Sequence, residues 1–553
     1  MDSTAADDLR QAKRPRLTPS PGDDVDMISG LDDDVLLRIL RVVADARDAV
    51  RTSALSRRWL GLWTRVPALR FAFRPVSGTA AASVTERCAA LKAYASVVSD
   101  VLAQRRTRSD CARLIISYTT GLMLMNAEDV ERLSLASAHA TQGWMQYAGA
   151  FRQGLKSFTV DMNLPHRRLI DIIDSDSDSE EEEDRHSGEE EPVVLLDKLP
   201  SCLETIHLAL GDARLRLPTA MRFMSLIDLS LERIGIENHG ALHLLAHLVS
   251  SVCCPHLQKL RMDKIWFPNT MEEEIMQLEA DELSELWVEN VHVQTWELKT
   301  PMLRSFHIDK CHGNAELRIS APRLEEFEFF QRASSPKRLE VNDELSCVRN
   351  LKIGHGFFTN PDKIENDINA NILLLKQCSS ATCLDVTLGG IDVMMDPGVI
   401  QSWVPQLHSI TSLTVNIFQH TFRHHDYRAS VASLLCRFNN LTSLSLHLHS
   451  MDIKLSNNLE RHHQDDWALR DTTIAHLLEL ELTGLRGTDC ELWFMKAVIA
   501  SAKRLHKVAI SFHPKCWEHQ DNMDAFERML LDEGMWISYR DTFTLNTCKT
   551  CKM

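Results

Sequence analysis

No apolar run in this chain approaches the ~18 residues that a bilayer-crossing helix needs, so no membrane span is expected. Met1 to Arg10 carries Asp2, Asp7 and Asp8 and no apolar segment, which is not the pattern of a secretory signal. Cysteine is sparse, 14 in 553 residues and mostly unclustered, as expected of reduced intracellular thiols and not of a disulfide framework. A basic excess is missing too. With 61 Lys+Arg against 77 Asp+Glu the formal charge is −16, and nothing in it attracts nucleic acid or an anionic membrane. Nucleotide cradles of the G-x-x-x-x-G-K-[ST] or G-x-G-x-x-G type are absent. None of the 24 His falls in an H-E-x-x-H arrangement. His424-His425 and His462-His463 are adjacent pairs, and adjacent residues seldom face one site, so both read as surface histidines. Cys548-Lys549-Thr550-Cys551 has a zinc-like gap, but four ligands are usual and no second pair sits nearby, so it reads as a tail. No Ser, His and acid grouping stands out. Together these absences lead us to expect no catalytic residue, no metal and no cofactor, and point to a binding protein.

What is present is a globular composition, 44% hydrophobic and 25% charged. The length suits about three or four domains, or one elongated repeat array. Acidic charge is concentrated in one place. Asp171 to Glu191 holds twelve acids and one Arg, a local −11 that leaves the rest of the chain at −5. Charges this dense repel and cannot pack, so residues 171–191 are expected to form a disordered insertion. It reads as a solvating loop, or as a phosphorylation site around Ser175, Ser177 and Ser179 or a lure for basic partners. Residues 1–25 lack apolar periodicity and read as a disordered arm. Lys13, Arg14 and Arg16 within it are either a solvated cluster or a nuclear-import signal, so the expected location is nucleus and/or cytoplasm.

From Met27 the pattern becomes helical. Asp32, Asp33 and Asp34 precede Val35, Leu36, Ile39, Leu40 and Val43, an apolar face with carboxylates in its first turn. A second helical stretch contains Ala49, Val50, Ser53 and Ala54, and a further turn carries Trp59 and Trp63. About 45 residues cannot bury enough surface to be robust alone, so this unit must finish its core against the next domain or a partner. The runs Ile28 to Leu40, Arg47 to Trp59 and Leu62-Trp63 resemble a plant F-box. The resemblance implies that residues 26–73 dock on a Skp-type adaptor, and through it on cullin and RING subunits of a ubiquitin ligase. By motif position it assigns the adaptor contacts to Leu31, Val35, Leu36, Ile39, Leu55 and Trp59. The family has Pro where this chain has Asp32, a loss of one apolar contact. The plainer reading is a helical pair belonging to the core.

Beyond Asp110 an apolar–x–x–apolar–x–apolar unit recurs, starting at Leu155 and Leu203 and continuing at Leu226, Leu257, Leu283, Leu303, Leu324, Val348, Ile410, Leu441, Leu477 and Leu505. A weaker copy uses Leu384 and Val386. From Leu203 to Val348 the steps are 23, 31, 26, 20, 21 and 24 residues. Each closing apolar–x–apolar predicts a short strand with alternate side chains inward, and such periods suit a leucine-rich-repeat solenoid. Pro255, Pro301 and Pro322 each stand two residues before the first apolar position and predict an extended entry to the strand. These units resemble those of plant F-box/leucine-rich-repeat proteins over about residues 110–480. Residues 472–553, with a strand, a turn, an amphipathic helix and a strand, resemble the FBD-type module that follows such repeats and can cap the array.

The expected fold is therefore α/β: a small N-terminal helical F-box, then an irregular solenoid with a curved, mostly parallel sheet, then a C-terminal cap. In each strand the residue between the inward apolar positions points to the concave face. Arg261, Trp287 and His307 fall in that column and are either a partner-binding patch or ordinary strand residues with Trp287 tucked under a loop. The function the resemblance implies is the substrate receptor of an SCF-type cullin–RING ubiquitin ligase, non-catalytic itself, with a protein target. The alternatives are a scaffold that binds through its repeats without ubiquitin transfer, and a small-molecule sensor.

Overall fold

The computed structural model describes residues 28–512 apart from 74–83, 106–110, 121–126, 165–192, 269–274, 331–337, 355–369, 389–403, 419–426, 450–473 and shorter gaps, together with Arg528. Lys13, Arg14, Arg16, the acidic run 171–191, both histidine pairs and Cys548 to Cys551 lie outside the described residues. Among the described residues no helix is long and apolar enough to cross a membrane.

The chain opens with α1 (Asp33–Val42), α2 (Ala46–Arg51) and the single turn α3 (Trp59–Leu62). Asp32 precedes α1 with φ −68 and ψ 154, the backbone shape a proline would impose, and its side chain makes no capping bond. Asp33 instead ties α1 to α3, accepting from Arg58 Nε at 2.8 Å. Strand β1 (Ala68–Ala72) comes directly after, then α4 (Val84–Arg105), β2 (Arg113–Thr119), α5 (Ala127–Ala150) and β3 (Ser157–Asn163).

The helical unit is welded to the first strand and helix of the solenoid. Leu36, Leu37, Leu40, Trp59 and Trp63 share one continuous core with Phe71 of β1 and Leu91 and Val98 of α4. Asp45 caps α2 through the Arg47 amide at 2.8 Å and also accepts from the Ala72 amide at 3.1 Å. Arg47 Nη2 bonds both Asp45 Oδ2, at 2.7 Å, and the Ala72 carbonyl, at 2.5 Å. These bonds satisfy main-chain groups at the end of an edge strand, where open polar groups invite misplaced pairing. Burial alone would raise the Asp45 carboxyl; the bonds from Arg47 and Ala72 outweigh it and hold the group below its ordinary range. At the end of α4 the buried Arg105 donates to the Val66 carbonyl.

The solenoid continues with β4 (Val193–Leu195), β5 (Thr205–Arg216), β6 (Asp228–Ile236), α6 (Ala241–Leu248), β7 (Lys259–Trp266), β8 (Ile275–Glu279), β9 (Glu285–Glu289), β10 (Thr295–Lys299), β11 (Ser305–Asp309), β12 (Glu316–Ser320), β13 (Glu326–Phe330), β14 (Arg338–Val341) and β15 (Asn350–Gly354). It ends with α7 (Ala370–Gln377), β16 (Cys383–Leu388), β17 (Ser412–Phe418), α8 (Tyr427–Leu435), β18 (Ser443–His449), β19 (Glu479–Leu485), α9 (Asp489–Ser501) and β20 (Lys507–Phe512). Sixteen strands form one parallel sheet in the order β1-β2-β3-β5-β6-β7-β9-β11-β13-β15-β16-β17-β18-β19-β20, with β4 beside β5. The remaining strands, β8, β10, β12 and β14, form a second parallel sheet behind it.

The repeat reading and its register hold. The leading apolar residues Leu155, Leu203, Leu226, Leu257, Leu283, Leu303, Leu324, Val348, Ile410, Leu441 and Leu477 are all buried. The sheet starts earlier than the expected residue 110, inside the segment read as F-box. Val66–Leu69–Phe71 and Cys111–Leu114–Ile116 are two further units, the second opening on Cys in place of an aliphatic residue. The prolines also act differently from expectation. Leu257, Leu303 and Leu324 amides bond back to Cys254, Thr300 and Ala321 carbonyls at 3.2, 3.1 and 3.1 Å, so each Pro sits second in a tight turn, where its fixed φ fits.

Candidate functional site

Two surfaces carry chemistry that the fold does not use up. The first is on α1. Its inner face, Leu36, Leu37 and Leu40, is sealed in the core. Its outer face, Val35, Ile39 and Val42 at positions i, i+4 and i+7, is apolar and exposed, Val42 at 84%. Leu55 at 67% and Leu60 beside α3 are also exposed. Scattered exposed apolar residues are ordinary, but a helix apolar on both faces with only one covered is not.

This divides the residues assigned to adaptor contact. Val35, Ile39 and Leu55 are exposed, and Leu31 is half-buried against the core. Leu36 at 0% and Trp59 at 7% are inside this chain's own core, where they hold α1 and α3 in place. Val42, which continues the 35–39 spacing, and Leu60 are exposed as well.

The second surface is the open face of the main sheet. Ser230, Arg261, Trp287, His307, Glu328 and Lys352 stand side by side on successive strands. The guanidinium of Arg261 lies 5.0 Å from the Trp287 ring centre. Trp287 and His307 stack at 3.5 Å with an 11° tilt. His307 Nδ1 is 2.7 Å from Glu328 Oε2, and Lys352 Nζ is 2.5 Å from Glu328 Oε1. A carboxylate only accepts, so Nδ1 of His307 carries the proton. The bond from His307 first, and then those from Lys352, pull the Glu328 carboxyl down to about 2 against the effect of its burial.

Of the three residues expected in a patch, only Arg261 is exposed. Trp287 is half-buried between Arg261 and His307, and His307 is 8% exposed. Glu328 and Lys352, which complete the ladder, were legible as the next members of the same column. Among the described residues no group of three His, Cys, Asp or Glu is placed to hold a metal ion.

No protein-family model matches the chain. Curated relatives from Arabidopsis thaliana match short segments. An FBD-associated F-box protein is 46% identical over 54 residues, 10% of this chain and 12% of that protein. A second one is 49% identical over 45 residues, 8% of this chain and 11% of that protein. An F-box/FBD/LRR-repeat protein is 51% identical over 57 residues, 10% of this chain and 11% of that one. In these short stretches the chain is similar to plant F-box/FBD proteins. The matched segment spans only about a ninth of each relative's length.

Proposed function

We propose that the chain is the substrate-recognition subunit of an SCF-type cullin–RING ubiquitin ligase. In this reading the outer face of α1 docks on a Skp-type adaptor, the adaptor brings cullin and RING subunits, and the sheet's open face holds a protein target. The observation that carries it is the uncovered apolar face Val35–Ile39–Val42 on a helix whose other face is locked to the solenoid. The names of the Arabidopsis relatives support the same reading. Rate acceleration then comes from proximity: a target held by a rigid arm presents its lysines to a charged conjugating enzyme at high effective concentration. The weld of α1, α2 and β1 suits this, because a loose joint would let the target wander.

The test is titration of the full chain with a Skp-type adaptor. We expect binding at micromolar concentration or below, and at least a hundredfold loss in the double variant Val35→Asp, Ile39→Asp, with an unchanged melting temperature because both side chains point to solvent. Leu36→Asp is uninformative, since it buries a charge in the core. Full adaptor affinity in the double variant would overturn the docking face. The scaffold reading is favoured by Asp32, a charge where the family has an apolar ring; it predicts no adaptor binding at micromolar concentration.

A further inference from the structure

The open face carries a cavity of about 520 Å³ across β5, β6, β7, β9 and β11, floored by His207, Ser230, Arg261 and Trp287 and flanked by Asp228 and Glu232. Its charged groups are not equivalent. Lys259 is matched by Glu285 at 2.7 Å. Arg261 has no ion pair or hydrogen bond among the described residues and lies over the Trp287 ring. Asp228 and Glu232 likewise make no hydrogen bond or ion pair there, though Asp228 stands beside Lys259 in register and feels its charge. Both stand on β6 two residues either side of Ser230, the partner of Arg261 in register. Strand spacing and rise put the Cα atom of each roughly 8 Å from that of Arg261, near enough for the side chains to share a ligand.

Arg261 is also held in place. Its guanidinium is the outermost layer of a stack with Trp287 and His307, and His307 is pinned by Glu328. A stacked guanidinium keeps its N–H fork free and loses little freedom on binding, which suits two-point recognition of a carboxylate. The surrounding acids exclude the obvious alternative. Asp228, Glu232 and Glu285 outnumber Lys259 and Arg261, so a phosphate dianion meets repulsion that a carboxylate with a cation beside it does not. Five parallel strands span roughly 19 Å, the length of a short extended peptide lying across them.

We infer that this cavity binds an extended segment of a target protein, placing an acidic side chain on Arg261 and a neighbouring basic side chain against Asp228 or Glu232. The inference rests on the target-binding role proposed above and names the chemistry of that target. It is tested by panning a random heptapeptide library on the full chain, on Arg261→Gln and on the double variant Asp228→Asn, Glu232→Gln. The wild-type chain is expected to enrich peptides with Asp or Glu within three residues of Lys or Arg. Synthetic versions of those peptides should bind Arg261→Gln at least tenfold more weakly, and the double variant should lose the preference for the basic residue. No enrichment, enrichment without acids, equal affinity for Arg261→Gln, or tighter binding when a phosphoserine replaces the acid each overturns it. Adaptor titration on the same proteins separates the two readings. A chain that binds adaptor but selects no such peptide loses the cavity and keeps the ligase role; one that selects the peptides without binding adaptor does the reverse.

Discussion

Between β7 and β15 the main sheet is backed by strands, and on either side of that stretch the described backing elements are helices. The difference tracks repeat length. Leu257, Leu283, Leu303, Leu324 and Val348 are 26, 20, 21 and 24 residues apart, and each interval holds one backing strand. The intervals that hold α4, α5, α6, α7, α8 and α9 run from 28 to 45 residues. A strand crosses the layer at about 3.3 Å per residue and a helix at 1.5 Å, so short units have room only for a strand. Strands also lie about 4.8 Å apart, whereas packed helices need roughly 8–10 Å. Strand-backed units therefore keep the same spacing front and back. Their side chains meet face to face, as Trp287 and His307 do at 3.5 Å and Phe306 and Phe327 at 5.2 Å.

Backbone strain marks the strand-backed region and β6, the helix-backed strand beside it. Arg233, Lys264, Asn290 and Lys310 come directly after register-matched acids on β6, β7, β9 and β11 and have φ of 53, 52, 52 and 49, in the left-handed region. Lysine and arginine seldom adopt it. Polar contacts hold them there: Arg233 to Asp212 at 3.0 Å, Lys264 to Asp263 at 3.4 Å, Asn290 Nδ2 to Asp263 at 3.3 Å and Lys310 to Glu289 at 3.1 Å.

The largest effect that would break this comparison is at Trp296, fully buried at the centre of the second sheet. Trp296→Ala should cost ~3–5 kcal/mol in urea unfolding, and Trp296→Phe under ~1.5 kcal/mol, because the indole nitrogen has no hydrogen-bond partner among the described residues. Equal losses would show that the two sheets do not pack as a shared core. In the helix-backed region, Gly484 has φ +78, and a Cβ there would stand 2.0 Å from the Leu448 carbonyl oxygen. Gly484→Ala should cost ~1–3 kcal/mol and speed hydrogen exchange in β19 and β20 while leaving β9 to β13 unchanged, since repeats couple mainly to neighbours. Spread of the effect to the centre would merge the two regions.

Glu328 gives a smaller effect with a defined pH window. Its folded carboxyl sits near 2 against an ordinary 4.5, so its stabilisation is complete above about 4.5 and is lost as pH falls toward 2. Glu328→Gln should remove that slope from the pH dependence of melting and lower stability at neutral pH by about 1–2 kcal/mol. An unchanged acid slope would dissolve the His307–Glu328–Lys352 ladder. The smallest effect is Lys259→Met. Its pair with Glu285 is exposed, so the loss should be under ~1 kcal/mol and should vanish in high salt.

Much of this was legible because a solenoid repeats one decision. Each apolar–x–apolar step set a strand and its inward side, and the column through Arg261, Trp287 and His307 came out in register. The second sheet was not read, although Met276, Trp296, Leu317 and Leu339 recur at 20, 21 and 22 residues, because the strands at Met276, Leu317 and Leu339 lack the leading apolar position of the main-sheet unit. Which face of α1 lies inside was not legible either. Val35, Leu36, Ile39 and Leu40 are all apolar, and one helix sequence cannot say which of two oily faces its own chain will cover.

Taken alone, the sequence determined the parallel repeat, its inward leucines and the presence of an apolar N-terminal helix, because these depend on periodicities of 2.0 and 3.6 residues that any chain must obey. Only the tertiary structure decided that Leu36 and Trp59 turn inward while Ile39 and Val42 are exposed, that Trp287 lies between Arg261 and His307, and that Arg261 has no carboxylate partner among the described residues. Those outcomes depend on which surfaces meet across distant parts of the chain, and no local spacing carries that information.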